Sequence, residues 1–152
     1  MENIALFAGS FCPFTKGHED IVRKALPLFD KVIIAIGHNF KKKDLFSVEQ
    51  LIEWIQGIYN NEPKVSVVAY QGLTVDFCKS QGARYLIRGL RNANDYAMEE
   101  EIRQINRMLA PDIETIIIPT AQEFAHISSS AVRDIIKHGG DTSAFLPEGI
   151  RL

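Results

Sequence analysis

The apolar run "IALFA" at residues 4–8 leads directly into "GSFCPFTKGHEDIV" at residues 9–22. The first run is apolar throughout, which is typical of a strand buried on both faces. The second begins with Gly-Ser, passes through a proline, and reaches Thr-Lys-Gly-His as apolar residues start to recur with a helical period. The junction therefore predicts a buried strand followed closely by a helix, with polar residues between them.

Four more Ile- and Val-rich runs follow, and helical patterns lie between them. The predicted strands cover residues 4–8, 31–37, 64–70, 84–88 and 115–119. The predicted helices cover residues 17–29, 48–60, 75–81, 93–109 and 130–138. This alternation predicts a single α/β domain over residues 1–152, with a Rossmann-like, doubly wound sheet of five parallel strands and helices on both faces.

Local signals set the predicted helix ends. Ser47 and Gln50 form a capping-box pattern ahead of the second helix, and Thr74 is a candidate cap for the third. Gly139 and Gly140 end the last helix, and the tail at 142–152 is expected to pack back as a short turn or helix. The apolar face of the first helix is predicted to comprise Ile21, Val22, Ala25, Leu28 and Phe29.

Composition limits the function classes. The chain has 152 residues, of which 46% are apolar and 24% charged, as in a soluble globular domain. The formal net charge of −2 gives no global attraction to nucleic acid or membranes. We find no signal-peptide pattern and no apolar run long enough to span a membrane. Cys12 and Cys78 lie too far apart for a metal motif or a disulfide framework, which favours a cytoplasmic location.

A polar cluster follows each predicted strand. These clusters cover residues 10–18, 41–43, 72–74, 88–91 and 120–130. In doubly wound sheets, ligands bind outside the carboxyl ends of the strands. The five clusters therefore predict one binding site at that edge.

The residue types in the first and fourth clusters favour phosphate. His18 follows Gly17 at a helix N-terminus, where free N–H groups and the helix dipole attract anions. Arg88 and Arg91 flank Gly89 directly after a strand, and guanidinium groups bind phosphate oxygens bidentately. The alternatives are a surface or capping histidine and two solvated arginines.

The other clusters admit both solvent-facing and ligand-binding interpretations. The lysines at 41–43 suit a solvated loop, although one of them could face the site. One serine of 128–130 suits a helix cap, while the others could supply hydroxyl groups to a triphosphate. In the acidic run at 99–101, Glu99 shares a helix face with Ile102 and Asn106, and its neighbours are expected to face solvent.

The sequence contains neither a G-x-x-x-x-G-K-[ST] P-loop nor a G-x-G-x-x-G fingerprint. No nucleophile–base pair is evident either. A site rich in Arg, Lys and His but without a nucleophile favours direct group transfer between two bound substrates. Such chemistry depends on positioning and on stabilisation of developing charge.

Three segments carry a resemblance to a known family. "GSFCPFTKGH" resembles the G-[ST]-F-D-P-x-T-x-G-H signature of the nucleotidyltransferase superfamily, a form of the H-x-G-H motif with Thr15 in the first position. "LIRGLRNANDYAMEEEIRQIN" and "FAHISSSAVRDI" resemble the second and third signatures of bacterial phosphopantetheine adenylyltransferases. The resemblance covers roughly residues 3 to 148, and the order and spacing of the three segments make it specific.

The resemblance implies a reversible transfer of the adenylyl group from ATP to 4′-phosphopantetheine, by direct in-line attack without a covalent intermediate. The products are dephospho-coenzyme A and pyrophosphate, in the penultimate step of coenzyme A biosynthesis. It also implies Mg²⁺ held mainly by the ATP phosphates rather than by protein side chains. A homohexamer and feedback inhibition by coenzyme A are further expectations.

The resemblance also implies the residue roles. His18 would stabilise the transition state, with Lys42 and Arg91 as further catalytic residues. The acceptor site would comprise Ser10, Lys42, Thr74 and Arg88. The ATP site would comprise Ser10, Phe11, His18, Gly89, Leu90, Arg91, Glu99, Phe124, Ala125, His126, Ile127, Ser128, Ser129 and Ser130.

Position 12 departs from the family pattern, because a cysteine replaces the usual aspartate. Cys12 is either a small residue that fills the loop or a thiol that ionises near basic groups and reacts. Two other functions stay open. One is a related nucleotidyltransferase acting on nicotinamide mononucleotide or glycerol phosphate, and the other is a nucleotide sensor without turnover.

Overall fold

The computed structural model describes residues 1–38 and 44–152, and in them strands and helices alternate along the chain. Strands β1–β5 span Ile4–Gly9, Lys31–Gly37, Val65–Tyr70, Tyr85–Leu90 and Glu114–Pro119. Helices α1–α5 span Lys16–Ala25, Val48–Ile58, Thr74–Ser80, Ala93–Leu109 and Ser129–Lys137. A 3-10 turn at Gln122–Phe124 precedes α5.

The five strands form one parallel sheet in the order β3-β2-β1-β4-β5. The chain therefore starts at the centre, winds outward through β2 and β3, and returns past β1 to β4 and β5. The direction of winding reverses between β1 and β4, where Leu6 pairs with Leu86 and Phe7 with Ile87. This arrangement confirms the predicted doubly wound α/β fold, and its switch point is where a ligand site is expected.

The core lies on both faces of the sheet, which explains why the strands are apolar without alternation. Ala5 and Phe7 of β1 belong to the larger core cluster, together with buried residues of α1, α2 and α5. Leu6 and Ala8 point to the other face and pack with buried residues of α3. Because both faces of β1 are covered, every position from 5 to 8 is buried.

The first helix is shorter than predicted. α1 ends at Ala25, with Leu26 as its C-cap, rather than continuing to residue 29. Pro27 follows the cap, and proline lacks the N–H that another helical turn needs. Leu28 is 61% exposed, so its place on the buried face was wrongly predicted, whereas Phe29 reaches the core from the turn.

Two of the predicted caps differ in detail. Ser47 caps α2 by accepting a hydrogen bond from the Gln50 backbone N–H at 3.2 Å, but the reciprocal bond of a capping box is absent. Thr74 is not the cap of α3: Leu73 occupies that position, without a side-chain hydrogen bond. The Thr74 hydroxyl instead lies 2.8 Å from the Tyr70 hydroxyl.

The chain end packs back onto the first helix, as expected for residues 142–152. Leu146 and Ile150 are buried in the larger core cluster. The Phe145 carbonyl accepts a hydrogen bond from the Lys16 N–H at 2.9 Å and so satisfies one of the free donors at the start of α1.

Helix α4 is the least buried of the described helices. None of its 17 residues is buried. Its large exposed apolar side chains are Tyr96, Met98, Ile105, Met108 and Leu109. Among the described residues, no helix has both the length and the apolar character needed to cross a bilayer.

Candidate active site

A cavity of about 260 Å³ opens at the switch point between β1 and β4. Residues of β1, the loop after it, α1, β4 and the segment before α5 all contribute to its wall. The lining comprises Phe7, Ala8, Gly9, Ser10, Phe11, Thr15, Gly17, His18, Ile21, Arg88, Gly89, Arg91, Thr120, Ile127 and Ser128. The cavity therefore lies at the edge of the sheet that the sequence indicates.

The loop after β1 folds back so that the ring of Phe11 lies against Gly9, the last residue of the strand. Phe11 has a φ of 47°, in the left-handed region that residues with a side chain seldom occupy. A Cβ atom on Gly9 would lie 3.1 Å from Cζ of Phe11, so glycine leaves room for that ring. This conformation buries Phe11 and leaves Ser10 exposed at the cavity.

A capping box holds His18 in one orientation at the start of α1. The Thr15 backbone N–H donates to Nδ1 of His18 at 3.0 Å, and the His18 backbone N–H lies 3.4 Å from Thr15 Oγ1. Since Nδ1 accepts a hydrogen bond, the proton of a neutral ring belongs on Nε2. His18 can therefore present an N–H donor through Nε2.

The surroundings of His18 keep the ring neutral. Its centroid lies 4.9 Å from that of Phe11, 5.4 Å from that of Phe14 and 6.2 Å from that of Phe7. Burial among these rings is the main reason that the pKa of His18 falls from 6.5 to about 4, and the charges of Arg91 and Arg88 lower it further. At neutral pH, His18 is thus an uncharged donor.

Arg88 is held in place at the end of β4. Its Nε and Nη2 atoms donate to the two carboxylate oxygens of Glu99, each at 2.9 Å. Nη1 donates to the Ala8 carbonyl at 3.0 Å. The hydrogen bond to Glu99 is the main reason that the pKa of Arg88 is raised, so the guanidinium group is charged at every working pH.

The three residues after Arg88 contribute differently to the cavity wall. Gly89 lets β4 approach α1, because a Cβ there would lie 3.3 Å from Cγ1 of Ile21. Leu90 is partly buried and does not line the cavity. Arg91 does line it and is more exposed than Arg88; its backbone N–H donates to Oδ2 of Asp95 at 3.1 Å.

The segment before α5 reaches the cavity with Ile127 and Ser128. Ser128 caps α5, since its hydroxyl oxygen accepts from the Ala131 N–H at 3.1 Å. Ser129 donates to the Pro13 carbonyl at 3.0 Å, and Ser130 is exposed. Neither of these two serines lines the cavity, and the same is true of Phe124, Ala125 and His126.

Asp20 is a structural residue that the sequence interpretation missed. Its carboxylate is fully buried and accepts from the Ala121 N–H at 2.9 Å, with Lys24 at 3.0 Å and Arg23 also in contact. Burial alone would raise the pKa of Asp20, but these partners lower it. Asp20 therefore ties α1 to the segment after β5, and the only signal in the sequence is an acid with bases three and four positions later.

Relatives of this chain identify its family. The profile of the Cytidylyltransferase-like family matches residues 6–135. The chain is 52% identical to a phosphopantetheine adenylyltransferase of Cytophaga hutchinsonii, with 97% of this chain and 98% of the relative covered. The chain belongs to the phosphopantetheine adenylyltransferase family.

Two other relatives carry the same name. A phosphopantetheine adenylyltransferase of Flavobacterium psychrophilum is 49% identical, with 97% of both chains covered. One of Leptospira biflexa is 41% identical, with 97% of this chain and 92% of the relative covered. These matches confirm the family that the sequence motifs predict, and with it the expectation of an enzyme of the nucleotidyltransferase class.

Cys12, where the family signature has an aspartate, belongs to the core. It is 3% exposed and packs in the same cluster as Phe11 and Phe14. Its carbonyl oxygen accepts a hydrogen bond from Nη1 of Arg133 at 2.8 Å. The side chain does not line the cavity, and these contacts favour a packing role over a reactive one.

The acceptor site implied by the resemblance also includes Lys42 and Thr74. Lys42 lies outside the described residues, as do the other lysines of the 41–43 run. Thr74 is partly buried at the start of α3 and contacts Tyr70, but it does not line the cavity.

Magnesium would depend on the substrate for its ligands. Within residues 1–38 and 44–152, no group of three or more His, Cys, Asp and Glu side chains is arranged to hold a metal ion. The described cavity lining also includes no carboxylate. Because Mg²⁺ usually keeps several waters and binds phosphate oxygens, this lining fits an ion that enters with a nucleotide.

Proposed function

We propose that this protein transfers the adenylyl group of ATP to the phosphate of 4′-phosphopantetheine, releasing pyrophosphate and forming dephospho-coenzyme A. The observation that carries the proposal is the neutral His18 donor in one cavity with Arg88 and Arg91. The names of the relatives, which match 97% of this chain, support the same reaction and its place in coenzyme A biosynthesis.

The reaction requires no nucleophile from the protein. An oxygen of the acceptor phosphate forms a bond to the α-phosphorus of ATP while the bond to the bridging oxygen of the β-phosphate breaks. The electron pair leaves with pyrophosphate, opposite the attacking oxygen. A phosphate oxygen is already deprotonated at neutral pH, so no general base is needed. The reverse reaction would follow the same path.

His18 would stabilise the negative charge that develops on the α-phosphate oxygens. Nδ1 is occupied by the Thr15 N–H, so the free donor is Nε2. A neutral imidazole donor retains its proton throughout, since the pKa is about 4. The nearby N–H of Gly17, which has no protein partner among the described residues, would add a backbone donor at the positive end of α1.

The two substrates would divide the cavity between them. Ser10, Arg88 and Lys42 would bind the acceptor phosphate, and the backbone at Thr74 would contact the pantetheine arm. Gly89 to Arg91 and the 124–130 segment would bind ATP, with Ser128 at the cavity and the Arg91 guanidinium group as a cation for its phosphates. Mg²⁺ entering with ATP would be held by the nucleotide rather than by protein carboxylates, and it would supply charge neutralisation beside Arg91.

We also propose that the chain forms a homo-oligomer, with a homohexamer as the expectation from the family. The exposed apolar side chains of α4, among them Met98, Ile105 and Met108, support self-association because a lone helix in water seldom presents so many. Coenzyme A contains the pantetheine arm and would compete with the acceptor for its site.

An acceptor panel tests the proposed reaction. Pyrophosphate release from ATP is measured with 4′-phosphopantetheine, nicotinamide mononucleotide or glycerol phosphate, each with Mg²⁺. Release that requires 4′-phosphopantetheine supports the proposal. Release with another acceptor alone would make the protein a different nucleotidyltransferase. ATP binding without release for any acceptor would favour the nucleotide sensor.

A further inference from the structure

Two side chains of α1, Asp20 and Lys24, hold the 119–127 segment that follows β5. One carboxylate oxygen of Asp20 accepts from the Ala121 N–H at 2.9 Å, and Nζ of Lys24 lies 3.0 Å from the same oxygen. Nζ of Lys24 also donates to the Pro119 carbonyl at 2.6 Å. The side chain of Asp20 has no exposed surface, so Asp20 acts on a ligand in the cavity only through its partners.

Ala121 links this pair of side chains to the cavity wall. Its carbonyl accepts from the Phe124 N–H at 2.9 Å, which closes the 3-10 turn. The Phe124 carbonyl in turn accepts from the Ile127 N–H at 3.0 Å. Ile127 lines the cavity, and so does Thr120, which precedes the turn. The position of Ala121 therefore sets the position of the cavity wall on both sides of the turn.

The 119–127 segment packs against the start of α1. A Cβ atom on Gly17 would lie 3.8 Å from the Phe124 carbonyl oxygen and 3.8 Å from Cγ2 of Thr120, which is ordinary contact distance. An outward shift of the segment would widen the cavity on this side only. Ser10 and Arg88 would keep their places, because they belong to the loop after β1 and to β4.

We propose that Asp20 and Lys24 are positioning residues for ATP: they hold the 119–127 segment against α1 and so keep the nucleotide side of the cavity in its binding shape. The inference rests on the proposed function, which assigns residues 124–130 to ATP. The residue roles that the family resemblance implies include neither Asp20 nor Lys24. Their loss should weaken binding of ATP and leave binding of 4′-phosphopantetheine unchanged, because the acceptor phosphate is bound from other elements.

Two substitutions separate the charge of Asp20 from its hydrogen bond to the segment. Asparagine has the shape of aspartate and keeps one acceptor for the Ala121 N–H. Its amide N–H₂ would then face Arg23, whose side chain is 69% exposed and can turn away into solvent. Alanine keeps no acceptor. Asp20→Asn should therefore lose stability but keep the position of the segment, whereas Asp20→Ala should lose both.

Calorimetry on the full chain measures the Kd of each substrate for Asp20→Ala, Asp20→Asn, Lys24→Met and Arg23→Gln. Arg23→Gln is the matched control, because Arg23 pairs with Asp20 and, within the described residues, forms no hydrogen bond with the segment. A segment that takes its binding conformation about one tenth of the time raises the Kd about tenfold. We expect about this rise in the ATP Kd for Asp20→Ala, and about threefold for Lys24→Met, which removes the tie to Pro119 but leaves the one to Ala121.

The other two variants should bind ATP within about twofold of the wild type, although Asp20→Asn unfolds at a lower temperature. Every variant should bind 4′-phosphopantetheine as the wild type does. Equal weakening of both substrates would overturn the proposal, as would ATP binding in Asp20→Asn as weak as in Asp20→Ala. If Asp20→Ala does not fold, Lys24→Met decides, and an unchanged ATP Kd in it overturns the proposal.

Failure of the proposed function gives a different result. A wild type that binds ATP but not 4′-phosphopantetheine, or binds neither, would refute the proposed reaction. A wild type that binds both, with the same ATP Kd in Asp20→Ala and Lys24→Met, would refute this inference alone.

Discussion

Replacement of His18 by alanine should change how the stability of the protein depends on pH. The ring packs against Phe7, Phe11 and Phe14 in the cavity wall, and desolvation there, with the charges of Arg91 and Arg88, lowers its pKa to about 4. In the unfolded chain, the histidine returns to a pKa near 6.5. As the pH falls below 6.5, His18 therefore binds a proton in the unfolded chain but stays neutral in the folded protein. The free energy of unfolding decreases as a result.

The size of the effect follows from the two pKa values. Above pH 6.5, protonation of His18 takes little from the free energy of unfolding. The loss grows as the pH falls from 6.5 toward 4. At pH 5.5, a group with these values makes the free energy of unfolding about 1.4 kcal/mol smaller than at high pH. Between pH 7.5 and 5.5, the wild type should therefore lose about 1.3 kcal/mol more than His18→Ala. The loss of the capping box in the variant is constant and cancels in this comparison.

Urea denaturation at the two pH values measures this difference. His138→Ala is the control, since the exposed ring of His138 lies at the C-terminal end of α5 and does not line the cavity. Equal pH dependence in the wild type and His18→Ala would mean that the folded protein protonates His18 normally. The argument for a neutral Nε2 donor would then fail.

Three further predictions concern other parts of the chain. Cys12→Ser should lower the free energy of unfolding by about 1 kcal/mol, because a buried hydroxyl lacks a partner, yet retain turnover; near-complete loss of turnover in a folded variant would contradict the packing role. Asp20→Asn should destabilise the protein to thermal unfolding by about 2 kcal/mol, because Lys24 and Arg23 lose a buried partner, and an unchanged melting temperature would refute this. Ile105→Glu should reduce the assembly size in sedimentation velocity, whereas an unchanged assembly would exclude this face of α4 as the interface.

The fold was predictable because the central strands β1 and β2 are buried along nearly their whole length. Apolar runs such as residues 4–8 and 32–36 have few other structures open to them in a chain of alternating elements. The end of α1 was missed although Pro27 marks it in the sequence, because Leu28 and Phe29 continue the helical pattern beyond Ala25. Tertiary packing of Phe29 from a turn has no local signal.

The position of the site was also predictable, but its internal geometry was not. Parallel strands bring their carboxyl ends to one edge, so Ser10, His18, Arg88 and Arg91 converge there. The pairing of Arg88 with Glu99 joins residues from two elements, and spacing alone does not define it. Likewise, the orientation of His18 depends on a capping box with histidine in the place of the usual glutamate or glutamine.

The most direct test of the account is pyrophosphate release from ATP, with and without 4′-phosphopantetheine, for the wild type and His18→Ala. The account predicts release that requires the acceptor in the wild type. In the variant, kcat should fall by about 100- to 1,000-fold, as for loss of one transition-state donor, with ATP binding changed far less. Release without the acceptor, or a fully active His18→Ala, would contradict it.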